Sequence, residues 1–99
     1  MPGSVSRYRI SPLAEADLEE IWFYTFEHWS LEQADRYHND MVAVFEGLAA
    51  GTKAGRRIGI REGYLKYAVG AHFVFYRQSD FGIVIIRILH QKMDAGRHL

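Results

Sequence analysis

The stretch of sequence that decides the fold is His72-Phe-Val-Phe-Tyr-Arg-Gln-Ser-Asp-Phe-Gly-Ile-Val-Ile-Ile-Arg-Ile-Leu-His90. Two runs rich in aromatic and β-branched residues, His72–Gln78 and Gly82–His90, predict two β-strands. The Ser-Asp-Phe-Gly segment between them is typical of a turn, so the strands form an antiparallel hairpin. Both strands are apolar on both sides, and the sheet that contains them therefore needs cover on two faces.

The chain before this hairpin carries one strand pattern and two helix patterns. The sequence predicts, in order, a strand over Val5–Ile10, a helix from Pro12 to about Trp29, and a second helix that Ser30 caps and that ends at Gly51. Ser11 suits the N-cap of the first helix, and Pro12 suits its first position. Apolar residues recur along both helices at steps of three and four. Two amphipathic helices joined so tightly form a helical hairpin.

The middle of the chain, residues 51–63, is rich in glycine and basic residues. We interpret it as loop and turns around a short strand over Arg57–Glu62, followed by a strand over Tyr64–Val69. The element order is then β-α-α-β-β-β. We expect an α+β fold in which the helical hairpin packs on a small, mainly antiparallel sheet with a short C-terminal tail, all in one domain over residues 1–99.

Length and composition exclude several classes of protein. A chain of 99 residues is the size of one small domain, and 48% hydrophobic residues are typical of a globular one. It has no cysteine, so disulfides and thiolate metal sites are excluded. The histidines and acids lack metal-ligand spacing, and we expect no metal and no cofactor. Without a signal-like start or a long apolar run, we expect a cytoplasmic protein that does not enter a membrane.

The formal net charge of zero conceals two oppositely charged halves. Residues 1–50 hold nine acidic and three basic side chains, whereas residues 51–99 hold nine basic and three acidic ones. A basic half could attract nucleic acid or an acidic protein segment, and its field would act mainly on the association rate. The alternative is ordinary solvated charge on a protein surface.

The apolar surfaces exceed what one helical hairpin can cover. The hairpin covers one face of the sheet, which leaves the second face to a partner segment or to the chain's own tail. We favour a partner segment. Phe23 and Phe26 fall away from the core stripe of the first helix and indicate the same partner.

Four blocks of sequence, taken in order, carry a family resemblance over nearly the whole chain. They are Ser11-Pro-Leu-Ala-Glu-Ala-Asp-Leu-Glu-Glu-Ile-Trp22, Trp29-Ser-Leu-Glu-Gln-Ala34, Ala71-His-Phe-Val-Phe-Tyr-Arg77 and Arg87-Ile-Leu-His-Gln-Lys-Met-Asp94. The blocks resemble the ParE toxins of the RelE/ParE toxin–antitoxin superfamily. The fold of that family also matches the predicted element order.

The resemblance implies a toxin that inhibits DNA gyrase by binding it, apparently by stabilising its DNA-cleavage complex, without catalysis of its own. It also implies neutralisation by a ParD-type antitoxin in a hetero-oligomer, for which a 2:2 assembly is one arrangement. DNA would be reached only indirectly, through gyrase or the antitoxin. The polar tail after the last strand would carry the toxic contact, with the target-binding residues Leu89, His90, Gln91, Lys92, Met93, Asp94 and Arg97. For antitoxin binding we nominate Phe23, Phe26, Phe73, Phe75 and Arg77.

Two rival functions remain at this point. RelE-type toxins share the fold and cleave messenger RNA on the ribosome. In that branch an arginine is expected three residues before the tyrosine of the sheet motif, and this chain has Phe73 at that distance from Tyr76. His90 lies where some of these nucleases carry an imidazole, so the rival stays open. The other rival is a basic nucleic-acid-binding module built on Arg56, Arg57, Arg61 and Lys66.

Asp17 borders the core stripe of the first helix. An acidic side chain in that position needs a partner. We expect it to stabilise the fold by pairing with Arg7 or Arg9, or by capping a neighbouring backbone group.

Overall fold

Two helices lie on one face of a five-stranded mixed sheet in the computed structural model, which describes residues 7–99. The elements are β1 (Arg7–Ile10), α1 (Pro12–His28), α2 (Leu31–Ala50), β2 (Arg56–Arg57), β3 (Tyr64–Val69), β4 (His72–Ser79), β5 (Gly82–His90) and a short 3₁₀ turn (Ala95–Arg97). The predicted α+β fold is confirmed. The first two residues of the predicted strand, Val5 and Ser6, lie outside the described residues.

Side-chain caps set the ends of the helices. The hydroxyl of Ser11 accepts from the backbone N–H of Ala14 at 3.1 Å and donates to the carbonyl of Ile86 at 2.7 Å. It therefore both starts α1 and ties that start to β5. Ser30 caps α2 through the N–H of Gln33, and Gly51 ends α2 in the left-handed conformation at φ 81°.

The short strand after α2 is the part of the fold that the sequence predicted wrongly. A strand over Arg57–Glu62 was expected, but β2 covers only Arg56–Arg57, which pair with Lys66 and Leu65 of β3. The physical reason is the length of the connection. Residues 58–63 form the turn that returns the chain to the start of β3, so they cannot also extend the edge strand.

The strand order of the sheet is β1-β5-β4-β3-β2. The helical hairpin carries the chain from β1 to the far strands, so β1 runs parallel to β5 and the other pairs are antiparallel. β1 pairs with β5 only as far as Ile85. Beyond that residue, within the described chain, the edge of β5 faces α1 instead of a strand.

The core lies between the helices and the inner face of the sheet. Its largest fully buried side chains are Met41 and Phe45 from α2, Val74 from β4 and Ile85 from β5. The acidic residues of α1 and α2, other than the buried Asp17, are exposed to solvent. The opposite face of the sheet, which we call the outer face, is not covered by a helix in residues 7–99.

The glycine at the first position of β5 lets the two parallel strands β1 and β5 approach closely. Gly82 has φ 151°, and a Cβ atom built on it would lie 1.9 Å from the carbonyl oxygen of Arg7. Gly82→Ala should therefore lower the free energy of unfolding by more than about 2 kcal/mol, measured by urea denaturation. Gly59→Ala is the matched control because a Cβ there meets nothing within 4 Å. Equal stabilities of the two variants would contradict this account.

Candidate functional site

The carboxylate of Asp17 joins α1 to the end of β5. It accepts from Nε and Nη2 of Arg87 at 2.8 and 2.9 Å, and from the backbone N–H of Ile88 at 2.9 Å. Of the predicted roles, the bond to a backbone group is confirmed at Ile88, whereas the expected pairing with Arg7 or Arg9 is wrong because the partner is Arg87. β1 ends before it reaches this level, so α1 supplies the acceptor that the exposed edge of β5 needs.

This ion pair is largely buried, with side-chain exposures of 16% for Arg87 and 9% for Asp17. The hydrogen bonds to Asp17 raise the pKa of Arg87 above its ordinary value, so the guanidinium stays charged at every physiological pH. A buried pair with three hydrogen bonds is costly to break from one side. The ion pair therefore holds the end of β5 against α1 and fixes the direction in which the tail leaves the sheet.

The tail after β5 is held by hydrogen bonds at its base and is exposed beyond them. The backbone N–H of Gln91 donates to the carbonyl of Ala71 at 2.9 Å, and its side-chain amide donates to the carbonyl of Gly70 at 3.0 Å. Further along, Asp94 accepts from the N–H of Gly96 and begins the short 3₁₀ turn. The tail is a short ordered projection from the sheet.

The structure divides the seven predicted target-binding residues into two groups. The exposed ones are Gln91, Lys92, Met93, Asp94 and Arg97, and His90 is half-buried. Leu89 is only 2% exposed, which corrects its place in the predicted contact surface. It lies within β5, opposite Phe73 of β4, before the exposed part of the tail begins.

A groove of about 570 Å³ lies between α1 and the end of β5. We call it the hairpin groove. Its lining is largely apolar and aromatic and includes Ile21, Tyr24, Trp29, Leu89 and Met93. Tyr24 and Trp29 are 60% and 76% exposed, which leaves large aromatic surface open to a partner.

A tyrosine and two histidines form the polar wall of the hairpin groove. The hydroxyl of Tyr37 donates to the carbonyl of Val69 at 3.0 Å and lies 2.7 Å from Nδ1 of His72, which can donate to it. The rings of His72 and His90 meet edge to face at 5.3 Å. Burial, and then the neighbouring His90, lower the pKa of His72 to about 4, while Asp17 opposes the shift.

The aromatic residues predicted on α1 are exposed. Phe23 and Phe26 are 50% and 45% exposed, and the ring of Trp22 contacts both, at centroid distances of 5.2 and 5.4 Å. The indole N–H of Trp22 donates to Asp35 of α2 at 2.9 Å, which holds the ring in place. We call these three aromatic residues the aromatic ridge.

The outer face of the sheet differs from the prediction of an open apolar surface. Phe73 is half-buried and Arg77 is exposed, but Phe75 is only 2% exposed and is not available to an antitoxin in the free chain. Met93 and Ala95 of the tail border the same concavity of about 510 Å³ as Phe73 and Phe75. The burial of Phe75 accompanies contacts within the sheet, where its ring meets that of Phe73 at a centroid distance of 6.2 Å and the ammonium of Lys66 lies 4.2 Å from the centroid of the Phe73 ring.

Two further classes of site receive no support from the described residues. Among residues 7–99, histidine and acidic side chains do not come together in a group of three that could hold a metal ion. Within the same range, neither helix has the length and apolar character that crossing a bilayer requires.

Sequence reasoning missed Arg87 as the partner of Asp17, and it missed the cluster of Tyr37 with His72. A signal for the first was present, because a charged residue inside the apolar run of β5 needs a buried counter-charge. The second depends on the distance between α2 and the β3–β4 turn, which residue patterns do not give.

The fold and these surfaces define a small α+β domain with a helical hairpin on one face of a sheet, a projecting tail and two concave surfaces. The family model described as ParE toxin of type II toxin–antitoxin system, parDE, matches residues 8–95. The chain belongs to this family.

Individual relatives agree with this placement. A "Toxin ParE1" of Mycobacterium tuberculosis is 42% identical over 96 residues, which cover 95% of this chain and 98% of that protein. A "Toxin ParE1" of Caulobacter vibrioides is 42% identical over 93 residues, covering 93% and 96%. A chain of the solved structure "Chromosomal ParDE TA system from P. aeruginosa" has a TM-score of 0.75 at 22% identity, covering 87% of this chain and 96% of that one, and shows the same fold.

The low pKa of His72 predicts a pH dependence of stability. Between the ordinary value of 6.5 and the folded value of about 4, the unfolded chain binds the proton more readily than the folded chain does. The contribution of neutral His72 to the free energy of unfolding is complete above pH 6.5 and is lost as the pH falls toward 4. Because solvent screens this half-buried ring, we expect a loss of about 2 kcal/mol rather than the full value of the shift.

His72→Gln should flatten this part of the curve of unfolding free energy against pH, measured by urea denaturation at each pH. His28→Gln, on the exposed end of α1, is the control and should follow the wild type. Parallel curves for the wild type and His72→Gln would show that His72 does not titrate in this way.

Proposed function

We propose that this protein is the toxin of a type II toxin–antitoxin pair, that it inhibits DNA gyrase by binding it, and that a ParD-type antitoxin neutralises it. The observation that carries the proposal is 42% identity to the ParE1 toxins over nearly the full length of both chains. Such a toxin would act in the cytoplasm, where its target is.

The tail is the part of the molecule best suited to the gyrase contact. Lys92, Met93, Asp94 and Arg97 are exposed and combine both signs of charge with an apolar side chain. Hydrogen bonds of Gln91 hold their base to the sheet, so little conformational entropy is lost when they bind. A pre-ordered projection of this kind suits a groove or interface on a large protein.

The rival ribonuclease function is disfavoured by chemistry at the outer face. Cleavage of RNA through its 2′-hydroxyl needs a base to take that proton and a cation at the phosphate. Phe73 stands where a RelE-type arginine is expected, so the bidentate guanidinium of that position is absent and the nearby cation is Lys66, whose ammonium lies 4.2 Å from the centroid of the Phe73 ring. Nδ1 of His90 accepts from the backbone N–H of Lys92 at 3.1 Å, so in the neutral ring the proton lies on Nε2, which cannot act as a base.

The antitoxin contact is best placed on the helical hairpin. The aromatic ridge and the hairpin groove together present exposed rings and a concave apolar surface. A segment that orders when it binds must bury enough apolar area to offset the entropy that it loses. Phe23 and Phe26 can supply that area, whereas Phe75 is already covered by the chain itself. A 2:2 assembly is our proposal for the stoichiometry.

Removal of residues 92–99 tests the tail. The shortened chain keeps Gln91 and its hydrogen bonds to the β3–β4 turn, so it should remain folded by circular dichroism. Its inhibition of gyrase supercoiling should weaken by at least about 30-fold, because the central residues of an interface typically contribute about 2 kcal/mol or more. A folded, shortened chain that inhibits fully would show that the toxic contact lies elsewhere.

Replacement of both ridge phenylalanines by serine tests the antitoxin surface. Phe23→Ser with Phe26→Ser should weaken binding of a ParD-type antitoxin by at least about 30-fold, measured by isothermal titration calorimetry. Stability should change by less than about 1 kcal/mol because both side chains are half-exposed. Leu13→Ser is the control, since Leu13 is exposed at the first turn of α1. Unchanged affinity in the double variant would remove the ridge from the interface.

A further inference from the structure

We propose that the outer face of the sheet is a second binding surface, and that it contacts the phosphate backbone of duplex DNA when the toxin is on gyrase. The setting on gyrase rests on the proposed function, whereas the DNA contact rests on the surface itself. The proposal departs from the expectation that this protein reaches DNA only through its partners.

The charged side chains on the outer face of the sheet all carry the same sign. Residues that pair across neighbouring strands point to the same side of a sheet, so the register identifies the side chains of the outer face. Arg9 and Arg77 both pair with Val84, and Arg56 and Phe75 both pair with Lys66, so the members of each set point to one side of the sheet. Every charged side chain at these outward positions of the described strands is a cation. The members are Arg7, Arg9, Arg56, Lys66, Arg77 and Arg87, of which Arg87 is paired with Asp17.

All of these cations except Arg87 have no carboxylate partner among residues 7–99. The ion pairs found in that range are those of Asp17 with Arg87 and of Asp94 with Arg97. Aromatic rings support two of the outer cations instead. The ammonium of Lys66 lies 4.2 Å from the ring centroid of Phe73, and the guanidinium of Arg9 lies 4.3 Å from that of Phe81. Their charge is positioned but not neutralised.

Two large apolar side chains of this face are already buried in the free chain. Phe75 and Leu89 are each 2% exposed, so a partner gains little by burying them. Open to a ligand are the cations and the shallow concavity beside them, which is lined by Arg56, Lys66 and His90 and by the exposed apolar side chains of Ile60 and Met93. Such a surface binds a polyanion better than an apolar peptide.

Geometry favours a duplex over an acidic peptide strand. Five strands set about 4.8 Å apart spread the cations over about 19 Å of sheet. Over that distance a DNA duplex presents roughly 11 phosphates, at one charge per about 1.7 Å. An extended peptide presents roughly six residues, of which alternate ones face away. The exposed acids of α1 and α2 lie on the opposite side of the molecule and would orient the cationic face toward DNA.

Fluorescence anisotropy tests this surface directly. A labelled duplex of about 20 base pairs is titrated with the purified toxin at several salt concentrations between about 50 and 200 mM. The wild type should bind weakly and lose affinity steeply as salt rises. Arg77→Gln and Arg9→Gln should each reduce the slope of log affinity against log salt by about 1. Arg36→Gln, on the exposed acidic side of α2, is the matched control and should leave the slope unchanged.

The outcomes separate this proposal from the proposed function. Unchanged salt slopes in Arg77→Gln and Arg9→Gln would overturn the DNA surface, even if the toxin inhibits gyrase. A toxin that fails to act on gyrase, but shows these slopes, would overturn the proposed function and leave the DNA surface standing. If the substitutions weaken antitoxin binding alone, or if single-stranded RNA binds more tightly than the duplex, the face belongs to another ligand and the proposal is wrong.

In the gyrase complex, a photo-crosslinking amino acid at position 77 should label the DNA strand. The same group at position 36 should not label it. Labelling of gyrase alone from position 77 would contradict a DNA contact.

Discussion

The carboxylate of Asp17 is the point on which the functional end of the molecule depends. β1 ends at Ile10, opposite the middle of β5, so the rest of that edge of β5 has unpaired backbone groups. Asp17 accepts from the N–H of Ile88 and from the guanidinium of Arg87, and a helix thereby replaces the missing strand. This contact holds the end of β5 to α1, and the hydrogen bonds of Gln91 to the β3–β4 turn hold the base of the tail that follows.

The consequence is a molecule with three separate surfaces. The helical hairpin carries exposed aromatic rings and acidic side chains, the tail carries a mixed polar set, and the outer face of the sheet carries cations. The opposite charges of the two chain halves are therefore also opposite in space. A toxin needs to hold its target and to be recognised by its antitoxin, and separate surfaces let the two contacts differ in chemistry.

Local chemistry explains what the sequence predicted well. Ser11 and Ser30 cap helices through neighbours three residues away, and the bounds of β3 and β5 follow from short runs of residue type. Long-range contacts explain the errors. The partner of Asp17 lies 70 residues away, and nothing in the local pattern selects Arg87 over Arg9. Phe75 is buried although it lies opposite Lys66 and Arg87 on the neighbouring strands, and this could not be predicted from an apolar strand pattern alone.

We propose that this toxin acts on gyrase by binding and not on RNA by catalysis. The most direct measurement adds one preparation of the purified protein to two separate assays. One assay contains gyrase with supercoiled and relaxed plasmid, and the other contains translating ribosomes with messenger RNA. This account predicts inhibited supercoiling, with linear DNA trapped on gyrase, and intact messenger RNA. Cleavage of the message with gyrase unaffected would contradict it.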